Sequence, residues 1–146
     1  MKKKSQRIDK VRAVAEAEEK ACCREMGASQ RKLDEEIERL EELKTYRVGY
    51  DKKQATPATI GAAQWADYQR FLQRLDEAVA AQSLVVLDNR EKVELHRRRW
   101  MVKRQRLESL GRVVERFRNL ELVEEERRLQ KSMDELSSAT GGFRIK

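Results

Sequence analysis

Apolar residues recur at every seventh position through the second half of the chain, at Leu72, Val79, Val86, Val93, Trp100, Leu107 and Val114. Three residues after each stands a second row: Leu75, Gln82, Asn89, His96, Lys103, Leu110 and Phe117. An alternating three-four spacing held without a slip is the mark of a helix that buries a narrow stripe against another helix. The first row favours β-branched Val. The second is polar through its middle, at Gln82, Asn89, His96 and Lys103. Polar seam residues cost stability and restrict register and partner number, so a modestly stable helical pair is expected.

The first half is less regular. Ile8, Val11 and Ala15 fit one phase, while Leu33, Ile37 and Leu40 fit another. The phase drifts between Cys22 and Leu33, where Gly27 and Ser29 lower helix propensity, and a bend or weak packing is expected there. Between the halves lies "DKKQATPATIGAAQ". Thr56 before Pro57 has the form of an N-cap followed by proline at the first helical position, and Gly49 and Gly61 flank the segment as breakers. The predicted fold class is therefore all-α, a long antiparallel two-helix coiled-coil hairpin forming one domain over residues 1–146. Its helices are expected at about 3–50 and 62–137, with a turn at 51–61 and a flexible tail at 138–146. The second helix outruns the first by roughly 25 residues, which predicts an overhang from about Gly111 to Leu136.

Composition agrees with that architecture. The chain has 146 residues, 40% charged and 39% hydrophobic, with one Pro and six Gly. A mean hydropathy of −0.88 argues against a large core,. The abundance of Glu, Lys, Arg, Leu, Ala and Gln favours long helices over disorder. A net charge of +7 permits an acidic partner, whether nucleic acid, membrane surface or protein pocket,. No apolar run approaches the ~18 residues that span a bilayer, and "MKKKSQRIDK" has a basic head without the apolar stretch of a secretory signal. Cys22 and Cys23 supply half a structural zinc site at most and read as reduced thiols, so a cytoplasmic location is expected.

No catalytic constellation is visible, and neither enzyme activity, cofactor nor metal is expected. His96, the single histidine, falls on the seam as a spacer rather than a general base,. No Gly-rich turn precedes a Lys-Ser or Lys-Thr pair, and "DEEIERLEE" reads as a solvated helix face. Two surfaces merit a functional reading. "HRRRWMVKRQR" gathers Arg97, Arg98, Arg99, Lys103, Arg104 and Arg106 within about three turns,. The hairpin is expected to bring it near Lys2, Lys3, Lys4 and Arg7, concentrating positive charge at the terminal end. A solvated charged face is the plainer alternative, and nucleic-acid binding lacks its usual aromatic interleaving and recognised folds. The second surface is aromatic. Arg39, Leu43, Tyr46 and Tyr50 follow one another at helical spacing, as do Phe71, Leu75, Ala78 and Gln82. Leu75 and Gln82 belong to the seam, whereas Phe71 and Ala78 lie one step aside and Tyr46 leaves the line of Leu33, Ile37 and Leu40. The rings either cap the hairpin end or stand exposed as a partner site, and on so polar a chain the exposed patch is the better explanation.

The segments "LEELKTYRVGY", "WADYQRFLQRLDEAVAAQ", "RWMVKRQRLESL" and "LQKSMDEL", in that order, resemble the FliJ family, soluble stalk proteins of the flagellar type III export apparatus. The resemblance runs from about Ile8 to Leu136. The YscO-like injectisome stalks are similar in size, and "YQRFLQRL" favours the flagellar family. The resemblance implies an antiparallel coiled coil like the shaft subunit of rotary ATP synthases; a self-complete hairpin is expected to be largely monomeric alone. It further implies entry into the hexameric ring of the export ATPase FliI, promotion of ring assembly, contact with the export gate protein FlhA, and escort of export chaperones. It implies no nucleic acid, no membrane insertion, and peripheral association with the inner-membrane apparatus. The family's gate-contacting stripe matches Arg39, Leu43, Tyr46, Tyr50, Phe71, Leu75, Ala78 and Gln82, departing from better-known members at Arg39 and Gln82. The basic region around Trp100, including Arg97, Arg98, Arg99, Lys103, Arg104 and Arg106, is placed at the ring end. The alternative is a structural or nucleic-acid-binding coiled coil that dimerises through its seam.

Overall fold

The computed structural model describes residues 3–53 and 56–141. Three helices account for these residues almost entirely: α1 (Lys4–Lys52), α2 (Pro57–Ile60) and α3 (Ala62–Gly141). The long helices α1 and α3 pack antiparallel as a helical hairpin, with α2 in the connection. Thr56 is the N-cap of α2, with φ −128° and ψ 160°, and Pro57 occupies its first turn. The Thr59 hydroxyl accepts the Thr56 amide at 2.9 Å and donates to the Thr56 carbonyl at 2.8 Å. Gly61 then turns the chain with φ +86°, a conformation that costs any residue with a Cβ,. Its carbonyl accepts the Trp65 amide at 2.9 Å, so the same glycine ends α2 and opens α3. Gly49, by contrast, lies inside α1 and breaks nothing.

The chain forms two compact units, Ala21–Met101 and the paired segments Met1–Lys20 and Val102–Lys146. In the unit Ala21–Met101, the residues of α1 that turn inward are Cys22, Met26, Ser29, Leu33, Glu36, Leu40, Leu43, Arg47 and Tyr50, each buried or half-buried. Their spacing alternates four and three without interruption. The expected phase drift between Cys22 and Leu33 is absent, because Met26 and Ser29 carry the phase across it. On α3 the facing row is the expected seam, extended back one heptad to Trp65 and Tyr68. Leu33, Leu40 and Val86 form the apolar centre, with Ile37, Val79 and Val93 packed against it. Polar pairs set the register. The amide of Gln82 donates to the Glu36 carbonyl at 2.9 Å and its carboxylate at 2.6 Å. Arg47 reaches Asp76 at 2.7 Å. Asn89, 6% exposed, satisfies its amide on the Val85 carbonyl of its own helix at 2.9 Å.

In the other unit, Ser5, Ile8, Arg12 and Ala15 of α1 face Leu107, Leu110, Val114 and Phe117 of α3. Ala15 and Val114 are its most buried residues, at 3% and 1% exposure. Val11, placed by sequence on the α1 stripe, is 46% exposed, and Arg12 takes the inward position instead. Its guanidinium lies against Gly111, where a Cβ would stand 3.7 Å from the Arg12 Nε, an ordinary contact. The first turn of α1 has no acidic residue of its own. Glu121 of α3 supplies one, accepting the Ser5 amide at 3.1 Å and its hydroxyl at 2.6 Å. A carboxylate at a helix N-terminus satisfies a free amide and opposes the helix dipole. This capping shortens the overhang. Residues Gly111 to Glu121 lie alongside α1, and the fully exposed stretch begins at Leu122. The helix also outlasts its expected end at 137, running through "SSAT" to Gly141. Residues 142–146 of the expected tail lie outside the described residues.

Candidate functional site

The ring cluster is built at the turn end of the Ala21–Met101 unit by helical spacing on both long helices. Tyr46 and Tyr50, four apart on α1, meet edge to face with centroids 5.1 Å apart and hydroxyls 2.9 Å apart. Phe71 of α3 meets Tyr50 at 5.1 Å, and Tyr68 meets it at 6.1 Å. Trp65 stacks on Tyr68 at 5.9 Å. The Tyr68 hydroxyl donates to the Tyr50 carbonyl at 3.1 Å. The cluster therefore has a packed floor of Tyr50, Tyr68 and Trp65, each half-buried, and an open edge of Tyr46 and Phe71. Tyr46 is 55% exposed and Phe71 40%. The hydrogen bond with Tyr46, together with partial burial, raises the Tyr50 hydroxyl above its ordinary pKa of 10.0.

The remaining residues of the expected stripe divide by depth. Arg39, Leu43, Tyr46 and Gln82 line one open groove of about 400 Å³ with Glu42. Ala78 is half-buried, and Leu75 is buried at 8% exposure, so Leu75 supports the patch from beneath rather than presenting a surface. The sequence did not single out Glu36, the residue that ties this groove together. Its carboxylate, 4% exposed, holds Gln82, Lys32 at 3.0 Å and Arg39 at 3.4 Å. The Gln82 amide and the Lys32 ammonium hold its pKa below the ordinary 4.5. Arg47 fixes the other side of the rings, bonding Asp51 at 2.6 Å and Asp76 at 2.7 Å, and those hydrogen bonds raise its pKa. Trp65 and Tyr68 were also absent from the expected stripe, although the three-four spacing of the α3 seam, continued one heptad earlier, reaches both.

The basic residues behave differently. In the Ala21–Met101 unit, Arg97, Arg98 and Arg99 are exposed, and Arg98 pairs with Glu94 at 3.4 Å. Beside them His96 brings Nδ1 to 3.8 Å from a Glu25 oxygen. In the other unit Lys103 binds Glu18 across the helices at 3.0 Å and lowers its pKa, while Arg104 pairs with Glu108 at 3.4 Å and Arg106 is exposed. Here the antiparallel register corrects an expectation. Lys3 lies by Arg118, Glu121 and Leu122, not by Lys103, because each step along α1 is matched by a step backward along α3. Within each unit the stretch meets a carboxylate of α1, His96 approaching Glu25 and Lys103 pairing with Glu18; Lys2 lies outside the described residues.

Among the described residues, no group of three or more His, Cys, Asp or Glu is placed to hold a metal ion. No helix there is long and apolar enough to cross a membrane. Both cysteines are free thiols, Cys22 half-buried and Cys23 exposed. What this geometry offers is contact surface: rings held at fixed angles over a polar framework, and exposed cations elsewhere.

The chain is 30% identical over 132 residues to the flagellar FliJ protein of Salmonella typhi, covering 89% of this chain and 90% of that one. It is 29% identical over 126 residues to the flagellar FliJ protein of Escherichia coli strain K12, covering 85% and 86%. The family profile described as flagellar FliJ protein matches residues 3–141, which contain the whole hairpin and its ring cluster, and the chain belongs to that family.

Proposed function

We propose that this chain is a non-catalytic component of flagellar protein export, a stalk that joins the export ATPase to the export gate. The observation that carries the reading is the preformed ring patch, with Tyr46 and Phe71 open to solvent and braced by Tyr50. An exposed aromatic pair on a chain that is 40% charged is the expected form of a specific protein contact,. The assigned partner for this patch is the soluble region of the gate protein FlhA, with Arg39, Leu43 and Gln82 forming the adjoining groove. The exposed cations Arg97, Arg98, Arg99 and Arg106 are assigned to the hexameric ATPase FliI, where charge guides approach without a large apolar contact. Escort of export chaperones and a cytoplasmic position at the inner-membrane apparatus complete the assignment. A self-pairing coiled coil is disfavoured by the hairpin, since α3 already spends its seam on α1.

The test uses the purified chain with the ATPase and the gate's soluble region from one organism. Stimulation of ATP hydrolysis and saturable gate binding are the expected outcomes. A chain that dimerises, leaves hydrolysis unchanged and fails to bind the gate removes the stalk assignment.

A further inference from the structure

The outward face of α1 beyond the rings carries a second feature. Glu38, Glu41 and Glu42 line an open hollow of about 630 Å³ that continues over Tyr46 and Gly49. The chain is +7 in net charge, yet residues 34–42 hold six carboxylates against the single guanidinium of Arg39. Glu41 has a distant ammonium, Lys44 at 3.9 Å. Glu38 and Glu42 form no ion pair among the described residues. Carboxylates three and four apart on one helix repel, so this grouping works against α1 itself. Tyr46 meanwhile is braced by Tyr50 through their hydroxyls and an edge-to-face contact, which lowers the ordering cost of binding there,. Tyr50 and Lys53 close one end of the hollow, where the Lys53 ammonium sits 4.7 Å from the Tyr50 centroid, so one cation of the chain already rests on a ring beside three carboxylates,. At Gly49 a Cβ would meet nothing within 4 Å, which leaves the hollow open to a side chain.

We infer that this face receives a basic amphipathic helical segment of a partner protein. A Lys or Arg side chain lies between the carboxylates and the Tyr46 ring, and an apolar side chain settles over Gly49. Charge complementarity selects this occupant, because a cationic segment is attracted here and repelled by the predominantly basic remainder of the chain. The inference deepens the reading of the ring patch as a partner surface and rests on it.

The probe is a synthetic amphipathic helical peptide with Arg at i, i+4 and i+7 and Leu along one side, followed by fluorescence anisotropy beside a charge-inverted Glu peptide. The variant is Glu38→Gln with Glu41→Gln and Glu42→Gln; the control is Glu124→Gln with Glu125→Gln and Glu126→Gln. The basic peptide is expected to bind the native chain and the control alike, and the triple variant about tenfold more weakly, about twofold for each exposed pair. Its affinity should fall with salt, and the Glu peptide should not bind. Equal affinity for native chain and triple variant overturns the inference, as does equal binding of both peptides. The gate's soluble region separates this idea from the one beneath it. Gate binding lost in Phe71→Ala but untouched by the triple variant retains the ring patch and sinks the acidic face. No gate binding at all, with the peptide still sensitive to the carboxylates, retains the acidic face and sinks the gate assignment. A native dimer that the triple variant dissolves makes a second copy of this chain the occupant and overturns the assignment to another protein.

Discussion

Truncating Tyr46 and truncating Val114 should have opposite consequences, and the structure sets the size of each. Tyr46 is 55% exposed, so rather less than half of its surface is covered. With about 200 Å² for an aromatic side chain and ~25 cal/mol per Å², the covered part contributes at most about 2 kcal/mol. Part of that cover comes from its own helix and persists in compact unfolded chains, and Ala is the better helix former. Tyr46→Ala should therefore cost about 1 kcal/mol of stability. Val114 is 1% exposed. Val114→Ala removes two carbon groups at ~0.8 kcal/mol each and leaves a small void, about 2 kcal/mol in all. For a chain of this size the melting temperature should fall by about 3 °C for Tyr46→Ala and about 6 °C for Val114→Ala. Binding should rank the other way. An aromatic anchor at an interface centre is worth about 2 kcal/mol, so Tyr46→Ala should weaken gate binding about 30-fold while Val114→Ala leaves it nearly intact. Circular dichroism melts and calorimetric titration of the gate's soluble region on the same preparations measure both. If Tyr46→Ala melts as early as Val114→Ala and binds in proportion to its folded fraction, the ring is core and the patch argument fails.

The carboxylates of Glu36, Glu18 and Glu121 are all held below the ordinary pKa of 4.5, by Gln82, Lys103 and Ser5 respectively. Their contribution is complete above that value and disappears as pH falls through the depressed native values, so helicity followed by circular dichroism should hold at neutral pH and fail below 4.5,. A loss centred above about pH 5 would point to a different titrating group. Gly49→Ala, in an open helical position, should raise the melting temperature through a gain of about 0.5–1 kcal/mol,. Gly61→Ala, at φ +86°, should lower it by a similar energy in the same scanning calorimetry, and equal signs for the two would refute the turn geometry,. Changing Arg97, Arg98 and Arg99 to Glu alters charge by six units without touching the seam, and ATPase stimulation should fall and lose its salt sensitivity. Unchanged stimulation at low salt would make those arginines a solvated face.

The two long helices were unequally legible in the sequence, and the difference has a physical origin. On α3 the first seam row is apolar throughout, so periodicity alone locates it. On α1 the inward positions include Ser5, Arg12, Ser29, Glu36 and Arg47, and hydropathy cannot register a polar residue whose burial depends on a partner from the other helix. Glu36 is legible only once Gln82 is known to face it. Val11 acted as a decoy, apolar at a helical spacing from Ile8 yet turned outward, and Gly49 read as a breaker although neighbouring turns carry the helix through it. The meeting of Tyr46, Tyr50 and Phe71 is legible from helical spacing on the two sides of the turn, whereas the burial of Leu75 follows from the cross-helix register and is not.

That register is where the polar seam and the ring patch become one argument. Six residues, Leu33, Ile37, Leu40, Val79, Val86 and Val93, make up the apolar centre around the site. Such a thin stripe of aliphatic groups tolerates sliding by a heptad, since Leu or Val then meets another Leu or Val. Glu36 does not tolerate it. Slid by seven residues, its carboxylate leaves Gln82 and faces Leu75 or the shorter Asn89, losing the donor it takes from the other helix, and a buried charge short of a donor is penalised,. Arg47, bridging Asp51 and Asp76, imposes the same register one to two heptads nearer the turn. Phe71 then has one position against Tyr50, and Tyr46 one degree of exposure. The polar residues that cost the seam apolar contact are thus the ones that give the rings a single arrangement to present.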